Sequence, residues 1–599
     1  MREPRTNVND RRELSAGVRR ADVGHTLKRL FAYLKPSVFL FVLVFIGYLV
    51  AVALSLVGPY VCGLAVGEIR TDGTTDWGAI ADYVTILVIV YILSEVITYA
   101  STVGMAYVAR RMTNRMRGDL FKRLINLPVG YFDTRQAGDV ISVLSYDVDT
   151  VGASLADDVV LVLKSAVQIV GSLVMMLIIS APLVLIFVVT IPLSLVMTRV
   201  IAKKVQPLYR NRSHKLGELN GFAEEVLTGQ KTTKAYAKER EVIARFSAKN
   251  EEANAAYTRA EYLGTVSGPC VNFINNLSLT LISVFGSLMF AFGWGGIGIS
   301  QISSFVLYSR KFSGPINEIA NVIGEFQSSI AAAERIFKVL DEEEEDLNEE
   351  GCAELTGVAG RVQLNRVNFG YDSGKPVLKN FNLTAEAGNV IAIVGRTGAG
   401  KTTVINLLMR FYDADSGSVT VDGKDVRKVT RSSLRRTYTM VLQDTWLFAG
   451  TVYENIAYGC VNADRERVVE VCKRAKIHSF ISRLPNGYDT LLTDNAVNIS
   501  KGEKQLLTIA RAMLSPSPML ILDEATSNVD LRTEKAIQAA MTELMRGKTC
   551  FVIAHRLSTI QNADKILLVE NGEVIEEGTH AALMEKRGAY YDLYSLQHL

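Results

Sequence analysis

Apolar residues are gathered unevenly along this chain. Up to about Ala331 they form long runs; beyond it they come in short bursts broken by polar turns, the pattern of a soluble α/β protein. A helix that crosses a bilayer needs about 20 mostly apolar residues. Six stretches meet that need: 38–56, 83–103, 160–179, 183–201, 273–292 and 297–319. Only Ser180-Ala181-Pro182 separates the third from the fourth, and Gly293-Trp294-Gly295-Gly296 joins the fifth to the sixth. Arg310 and Lys311 interrupt the sixth.

Charge orients these six spans. The two short hairpin tips carry no Lys or Arg, and the first outer loop has only Arg70. The opposite side is basic: Arg110, Arg111, Arg115, Arg117, Lys122 and Arg123 follow the second span, and Lys203, Lys204, Arg210, Arg212 and Lys215 follow the fourth. Basic loops stay cytoplasmic, so both termini are expected inside. The N-terminal arm is long, polar and basic, with no short apolar core and cleavage site, and is not expected to be a cleaved signal. Stretches 109–157 and 203–264 are too long for turns and rich in helix formers. They are expected to carry the spanning helices far into the cytoplasm, bending back at 127–133 and at 211–214.

Composition sharpens this division. The chain has 599 residues, enough for at least two domains. Its net charge of +3 is too small for so large a chain to imply a nucleic-acid partner. Six scattered cysteines have neither metal-ligand spacing nor the look of a disulfide framework. At Glu342-Glu343-Glu344-Glu345-Asp346 the text turns acidic and loop-like, which predicts a solvated spacer. The expected organisation is an arm at 1–24, a six-helix membrane domain at 25–335, an acidic linker at 336–359 and an α/β P-loop domain at 360–599.

The P-loop domain carries chemistry. A short apolar strand, 390–394, enters Gly395-Arg396-Thr397-Gly398-Ala399-Gly400-Lys401-Thr402-Thr403, and a helix follows. Glycines let a backbone curl around phosphate with its N–H groups inward, and the helix N-terminus adds its positive end. Lys401 is expected to reach the β- and γ-phosphates of ATP, and Thr402 to hold Mg²⁺. A second apolar strand, 519–522, ends in Asp523-Glu524. Asp523 is placed to share the Mg²⁺ shell and Glu524 to orient or deprotonate the attacking water.

Between these motifs lies Asn498-Ile499-Ser500-Lys501-Gly502-Glu503-Lys504-Gln505. It resembles the Leu-Ser-Gly-Gly-Gln signature of the ATP-binding cassette (ABC) family. Tyr371 matches that family's adenine-stacking aromatic, Gln443 its Q-loop glutamine, Ser527-Asn528-Val529-Asp530 its D-loop and His555 its switch histidine. In the membrane half, 121–133 with Gly138-Asp139 is similar to the first coupling loop of ABC exporters. The resemblance implies a half-transporter that works as a dimer in the bacterial plasma membrane, with a type I exporter (type IV ABC) membrane domain. It also implies two ATP molecules held between paired ATPase domains. Ser500 and Gly502 would touch the partner's ATP, Gln443 would join the Mg²⁺ shell, and Glu524 and His555 would serve hydrolysis.

The signature departs from the family pattern: Lys501 replaces a glycine and Glu503 the glutamine. Because Glu524 and His555 are kept, this combination resembles the competent half of a heterodimer more than a homodimer. The implied activity is ATP-driven export of amphipathic small molecules, lipids or peptides, with multidrug efflux as the leading substrate class. An importer on the same fold and a lipid flippase are the alternatives, and the six spans exclude a soluble regulatory ATPase. Glu95, Lys164, Arg310 and Lys311 fall in or beside expected spans and are candidates for a substrate pathway.

Overall fold

The fold is given by a computed structural model, which describes residues 20–69, 75–347, 351–372, 374–443, 445–460, 463–492, 499–523, 530–553 and 560–596. The chain divides into two compact units. One comprises Met1–Ile125 with Gly138–Glu342; the other comprises Asn126–Ala137 with Glu343–Leu599.

The first unit is helical throughout. Among the described residues four helices are long and apolar enough to cross a membrane: Val23–Gly67, Trp77–Ile125, Ala137–Thr228 and Glu239–Ala291. The third has 92 residues and contains two of the expected stretches. It breaks at Ser180, whose backbone is extended (φ −162°, ψ 100°), where the sequence predicts a turn. The sixth expected stretch lies in the helix Ile299–Asp341, which is not among the four. Arg310, Lys311 and Glu318 within it dilute its apolar content. Large apolar side chains such as Phe39, Val88, Ile92 and Val188 stand on the surface of these helices. Water would not tolerate so much exposed hydrocarbon, whereas lipid does.

Polar bonds between helices supply specificity where hydrophobic burial cannot. The Ser94 hydroxyl donates to the Ala51 carbonyl at 2.9 Å, and the Tyr308 hydroxyl to the Leu56 carbonyl at 2.5 Å. Tyr308 is fully buried among Met176, Leu183, Phe187, Ile282 and Phe305. Farther along, Arg212 pairs with Glu261 and Lys215 with Glu252, tying the helix Asp158–Thr228 to Glu239–Thr265. The expected bend at 211–214 is therefore misplaced. Helix runs unbroken through those residues, because none of them is a breaker, and stops at Gly229. The chain reverses over Gln230–Ala235 and Ala237, which takes a positive φ of 51°.

The second unit is built on two sheets. The antiparallel one has the order β2-β1-β4-β5, from β1 (Val362–Phe369), β2 (Leu378–Ala385), β4 (Ser416–Val421) and β5 (Lys424–Asp425). The six-stranded sheet has the order β12-β11-β3-β10-β9-β6. Its strands are β3 (Val390–Val394), β6 (Tyr438–Val441), β9 (Met519–Asp523), β10 (Thr549–Ile553), β11 (Lys565–Glu570) and β12 (Glu573–Gly578). A short ladder joins β7 (Gly450–Thr451) to β8 (Leu491–Leu492). All pairings in the six-stranded sheet are parallel except β11 with β12. A parallel sheet is covered on both faces, so its strands read as continuous apolar runs. The two faces feed separate cores. Ala392, Leu520, Leu522 and Val552 enter one; Ile391, Ile393, Ile521, Phe551 and Ile553 enter the other.

The acidic run also departs from expectation. Glu345 is not solvated. Both its carboxylate oxygens accept hydrogen bonds from Arg435 at 2.6 Å, and its own N–H donates to the Asn126 carbonyl at 2.8 Å.

Candidate functional site

Strand register builds the site. Ile553 of β10 lies opposite both Ile393 of β3 and Asp523 of β9, so Asp523 is level with the residue just before the P-loop strand ends. Parallel sheets place loops of one kind at one edge, and ligands bind at the carboxyl ends of the strands. Here that edge collects the glycine-rich loop after β3, Asp523 at the end of β9, and Gln443 two residues beyond β6. Gln443 is exposed.

The loop after β3 turns back on itself through glycines with positive φ: Gly398 at 84° and Gly400 at 103°. A Cβ on Gly400 would lie 2.8 Å from Leu378 Cδ2, so chain direction and space both require glycine there. Gly400 caps the helix Lys401–Leu408. Thr402 is exposed on its first turn, while Ala399 and Thr403 are buried. Arg396 and Thr397 are exposed on the loop.

Lys401 is 8% exposed, and its ammonium donates to the carbonyls of Gly395 at 2.8 Å and Arg396 at 3.0 Å. Burial holds it below the usual lysine range, and the nearby Asp523 carboxylate acts in the opposite sense. A buried cation whose hydrogen bonds among the described residues go to two carbonyls, beside a glycine-rich loop at a helix N-terminus, is arranged to receive an anion. Tyr371 stands beside it half exposed. Its hydroxyl donates to Thr403 Oγ1 at 3.2 Å and accepts from the Asn406 side chain at 2.9 Å.

The oxygen donors present suit a hard cation: the Thr402 hydroxyl, the Asp523 carboxylate and the Gln443 amide carbonyl. Among the described residues no cluster of three His, Cys, Asp or Glu side chains could hold a metal alone. A divalent ion here would need ligands from a bound phosphate as well, the usual situation for Mg²⁺.

In the same unit Ser500 caps the helix Lys501–Leu514. Its N–H and its hydroxyl both donate to Glu503 Oε2, at 2.9 and 2.7 Å, and its Oγ accepts from the Glu503 N–H at 3.3 Å. Gly502 is buried, and Lys501 is exposed. Arg511 on the same helix was not singled out from sequence. It donates to the carbonyls of Asn455 (2.7 Å) and Trp446 (3.1 Å), fastening this helix to the segment that follows Gln443. Glu524, His555 and the first three D-loop residues lie outside the described residues. Asp530 caps the helix Leu531–Met545.

Residues 41–316 match the ABC transporter transmembrane region, and residues 378–527 match the family described as ABC transporter. Over 597 residues the chain is 39% identical to an uncharacterised ABC transporter ATP-binding protein of Bacillus subtilis, YfiC, covering 99% of this chain and 98% of the relative. The chain belongs to the ABC transporters. It is 41% identical over 518 residues to a fatty acid ABC transporter ATP-binding/permease protein of Mycobacterium tuberculosis (86% of this chain, 82% of the relative). It is 34% identical over 530 residues to the ATP-dependent lipid A-core flippase of Escherichia coli K12 (88% and 90%). The transporter is therefore a multi-pass membrane protein with a fused ATPase domain. It is an exporter-type half transporter that binds ATP, couples its hydrolysis to transport and works as a dimer.

The candidate substrate-pathway residues are spread over the membrane unit. Glu95 and Arg310 are exposed on their helices. Lys164 is partly buried, with its ammonium 4.8 Å from the centre of the Tyr48 ring. Lys311 is partly buried, and its carbonyl accepts from the Gln168 side chain at 3.2 Å. Glu318, not singled out from sequence, accepts from the Ser165 hydroxyl at 3.4 Å.

Proposed function

We propose that this transporter exports a lipid-like amphiphile with an acidic head, as one half of a heterodimer. The observation that carries the substrate class is a cavity of about 780 Å³ in the membrane unit. Leu30, Phe41, Phe45, Leu155, Val159 and Phe326 line it, and its walls are almost wholly apolar. Leu163, another lining residue, immediately precedes Lys164. A hydrocarbon chain matches the cavity, and an acidic head matches Lys164, Arg310 and Lys311. Two relatives bear names that refer to fatty acid and to lipid A-core, which favours this class over multidrug efflux.

In the cycle we propose, ATP stacks its base on Tyr371. Its phosphates lie in the loop Gly395–Thr403 with Lys401 against the β- and γ-groups. Thr402, Asp523 and Gln443 would hold Mg²⁺, which neutralises phosphate charge when bound. Glu524 directs the attacking water and His555 contacts the γ-phosphate. Ser500 and Gly502 meet the ATP of the partner half. ATP shifts the transporter by binding the closed pair of ATPase domains better than the open one.

The heterodimer reading rests on the signature. Glu503 occupies the donors of Ser500 that a γ-phosphate would need, so the site completed by this signature would be weakened, while this chain keeps Lys401, Asp523, Glu524 and His555 in its sequence for its own P-loop face. ATP hydrolysis by the chain alone in lipid nanodiscs, beside Glu524→Gln, tests it. We expect ATP binding with little turnover; robust turnover abolished in Glu524→Gln would establish a homodimer instead. Substrate class is tested by oleate stimulation of the transporter assembled with its partner. The double variant Arg310→Ala, Lys311→Ala should lose that stimulation, and equal stimulation in the variant would sink the acidic-head reading.

A further inference from the structure

In the membrane unit the first and last spanning helices are held together at three levels. By the loop charges, the helix Val38–Gly67 ends outside and the helix Ile299–Asp341 begins there. A Cβ on Gly67 would come 3.0 Å from Ser300 Cβ, and one on Gly63 would collide with the Ser304 hydroxyl and the Ser300 carbonyl. Farther in, the buried Tyr308 hydroxyl donates to the Leu56 carbonyl at 2.5 Å. The contacts step down one helix as they step up the other, which is the register of an antiparallel seam. Glycine lets two backbones approach this closely inside a membrane. The two glycine contacts are packing and can slide, whereas the hydroxyl bond is directional.

That bond falls at a weak point of the first helix. Pro59 lies inside it and has no N–H for the Ser55 carbonyl one turn back. The Ser55 hydroxyl is spent on the Val52 carbonyl at 2.8 Å. Leu56 is next in line, and the Tyr60 N–H, its ordinary helical partner, lies beside the same Tyr308 hydroxyl. A proline, or a side chain inserted into the helical ladder, is where a helix bends. Tyr91, on the helix Trp77–Ile125, fills the space that a Cβ on Gly58 would need. Leu56–Tyr60 is therefore a joint held between two tyrosines. Its two states differ by one bond: the Leu56 carbonyl accepts from Tyr308 or falls back on Tyr60 alone. A buried phenol hydroxyl keeps a partner, so release requires water at Tyr308, and water arrives there when the seam parts.

We infer that Tyr308 is a positioning residue for transport: its hydroxyl latches the outer half of the helix Val38–Gly67 to the helix Ile299–Asp341, and release of that latch is a step in opening the outer side. Closed, the bond holds the segment beyond Pro59 against its neighbour. Open, that segment swings as one piece about the joint at Leu56–Tyr60. Neither the substrate class nor the identity of the partner half enters into it.

Cys62, two residues past Tyr60 and partly exposed, is a native reporter of this motion. In the assembled dimer in nanodiscs its labelling by a membrane-impermeant maleimide is followed by mass spectrometry of its own peptide, with and without ATP. ATP should speed labelling in the wild type. Tyr308→Phe keeps the ring in the core and removes only the latch. Its ATP-free rate should rise about three- to tenfold, the span expected for one interhelical hydrogen bond in a membrane. The rate with ATP should stay at the wild-type value, because the latch is already open there. An unchanged ATP-free rate in Tyr308→Phe would overturn the inference, and so would a wild-type rate indifferent to ATP. An equal rise in both states with a lowered thermal midpoint would overturn it too, by making the hydroxyl a brace for packing rather than a latch.

Discussion

Glu503 holds both donors of Ser500 at the start of the signature helix: the N–H at 2.9 Å and the hydroxyl at 2.7 Å, on a single carboxylate oxygen. This is a capping box, in which the third residue of a helix reaches back to the cap and each satisfies the other's backbone N–H. A glutamine could make the same backbone bond while staying neutral. A carboxylate is charged, binds its donors more tightly, and repels a phosphate brought to the same hydroxyl. The carboxylate thus preserves the helix cap and would penalise an anion brought to Ser500.

Glu503→Gln should therefore strengthen the ATP site that this signature completes. In the full chain carrying Glu524→Gln, ATP retained through gel filtration should rise severalfold in the double variant, on the order of 1 kcal/mol for replacing a charge-assisted bond by a neutral one. The thermal midpoint should stay close to that of the parent, since the cap is kept. Equal retention would show that the carboxylate swings clear of the phosphate without cost.

The P-loop was legible because its parts are local. A buried strand, glycines with fixed roles and a helix start follow one another within about fifteen residues, and register then carries Asp523 to the same edge. What sequence could not show depends on distant partners. Nothing in the acidic run marks Glu345 as the one to be gripped by an arginine, because its partner Arg435 is 90 residues away. Nothing in 211–214 says that helix continues, because helix formers fit either a bend or a straight run until Glu261 and Glu252 supply the pairing. Nothing around Tyr412 in sequence points to Asp133, 279 positions earlier, whose carboxylate accepts from its hydroxyl.

Gly400 admits no side chain. Gly400→Ala must hold φ near 103° and push aside Leu378, at roughly 1–2 kcal/mol for the backbone alone. ATP affinity, read by fluorescence of a labelled nucleotide, should fall at least tenfold. Lys401→Met should abolish binding while leaving the fold intact, because a methionine fills the same buried volume without the cation.

In the membrane unit Asp147 is 2% exposed, and its two oxygens accept from Arg335 at 2.8 and 2.6 Å. Removing one member of such a pair strands the other as a buried charge, which costs about 3–5 kcal/mol. Arg335→Ala should lower the thermal midpoint of the detergent-solubilised transporter by several degrees. Arg335→Ala with Asp147→Asn should recover part of that loss, since the neutral amide is cheaper to bury. A double variant no more stable than the single one would assign the effect to lost packing of the arginine stem.

The six cysteines should separate sharply in reactivity. All are free thiols, and only Cys472 and Cys550 are buried. Burial pushes Cys472 up to about 11 and Cys550 up to about 12. The thiolate is the nucleophile, so at pH 8 about one in a thousand Cys472 side chains and about one in ten thousand Cys550 side chains are ionised. The sign follows directly: a raised thiol stays protonated until the pH climbs to its own value, so raising the pH from 7 to 9 should not expose either to labelling. Mass spectrometry after brief treatment with a maleimide should find Cys352 and Cys460 modified and Cys472 and Cys550 spared. Denaturant should remove the difference, because the cause is burial rather than a neighbouring charge. Rapid labelling of Cys472 in the native transporter would mean that the helix Arg465–Arg474 opens on the labelling timescale.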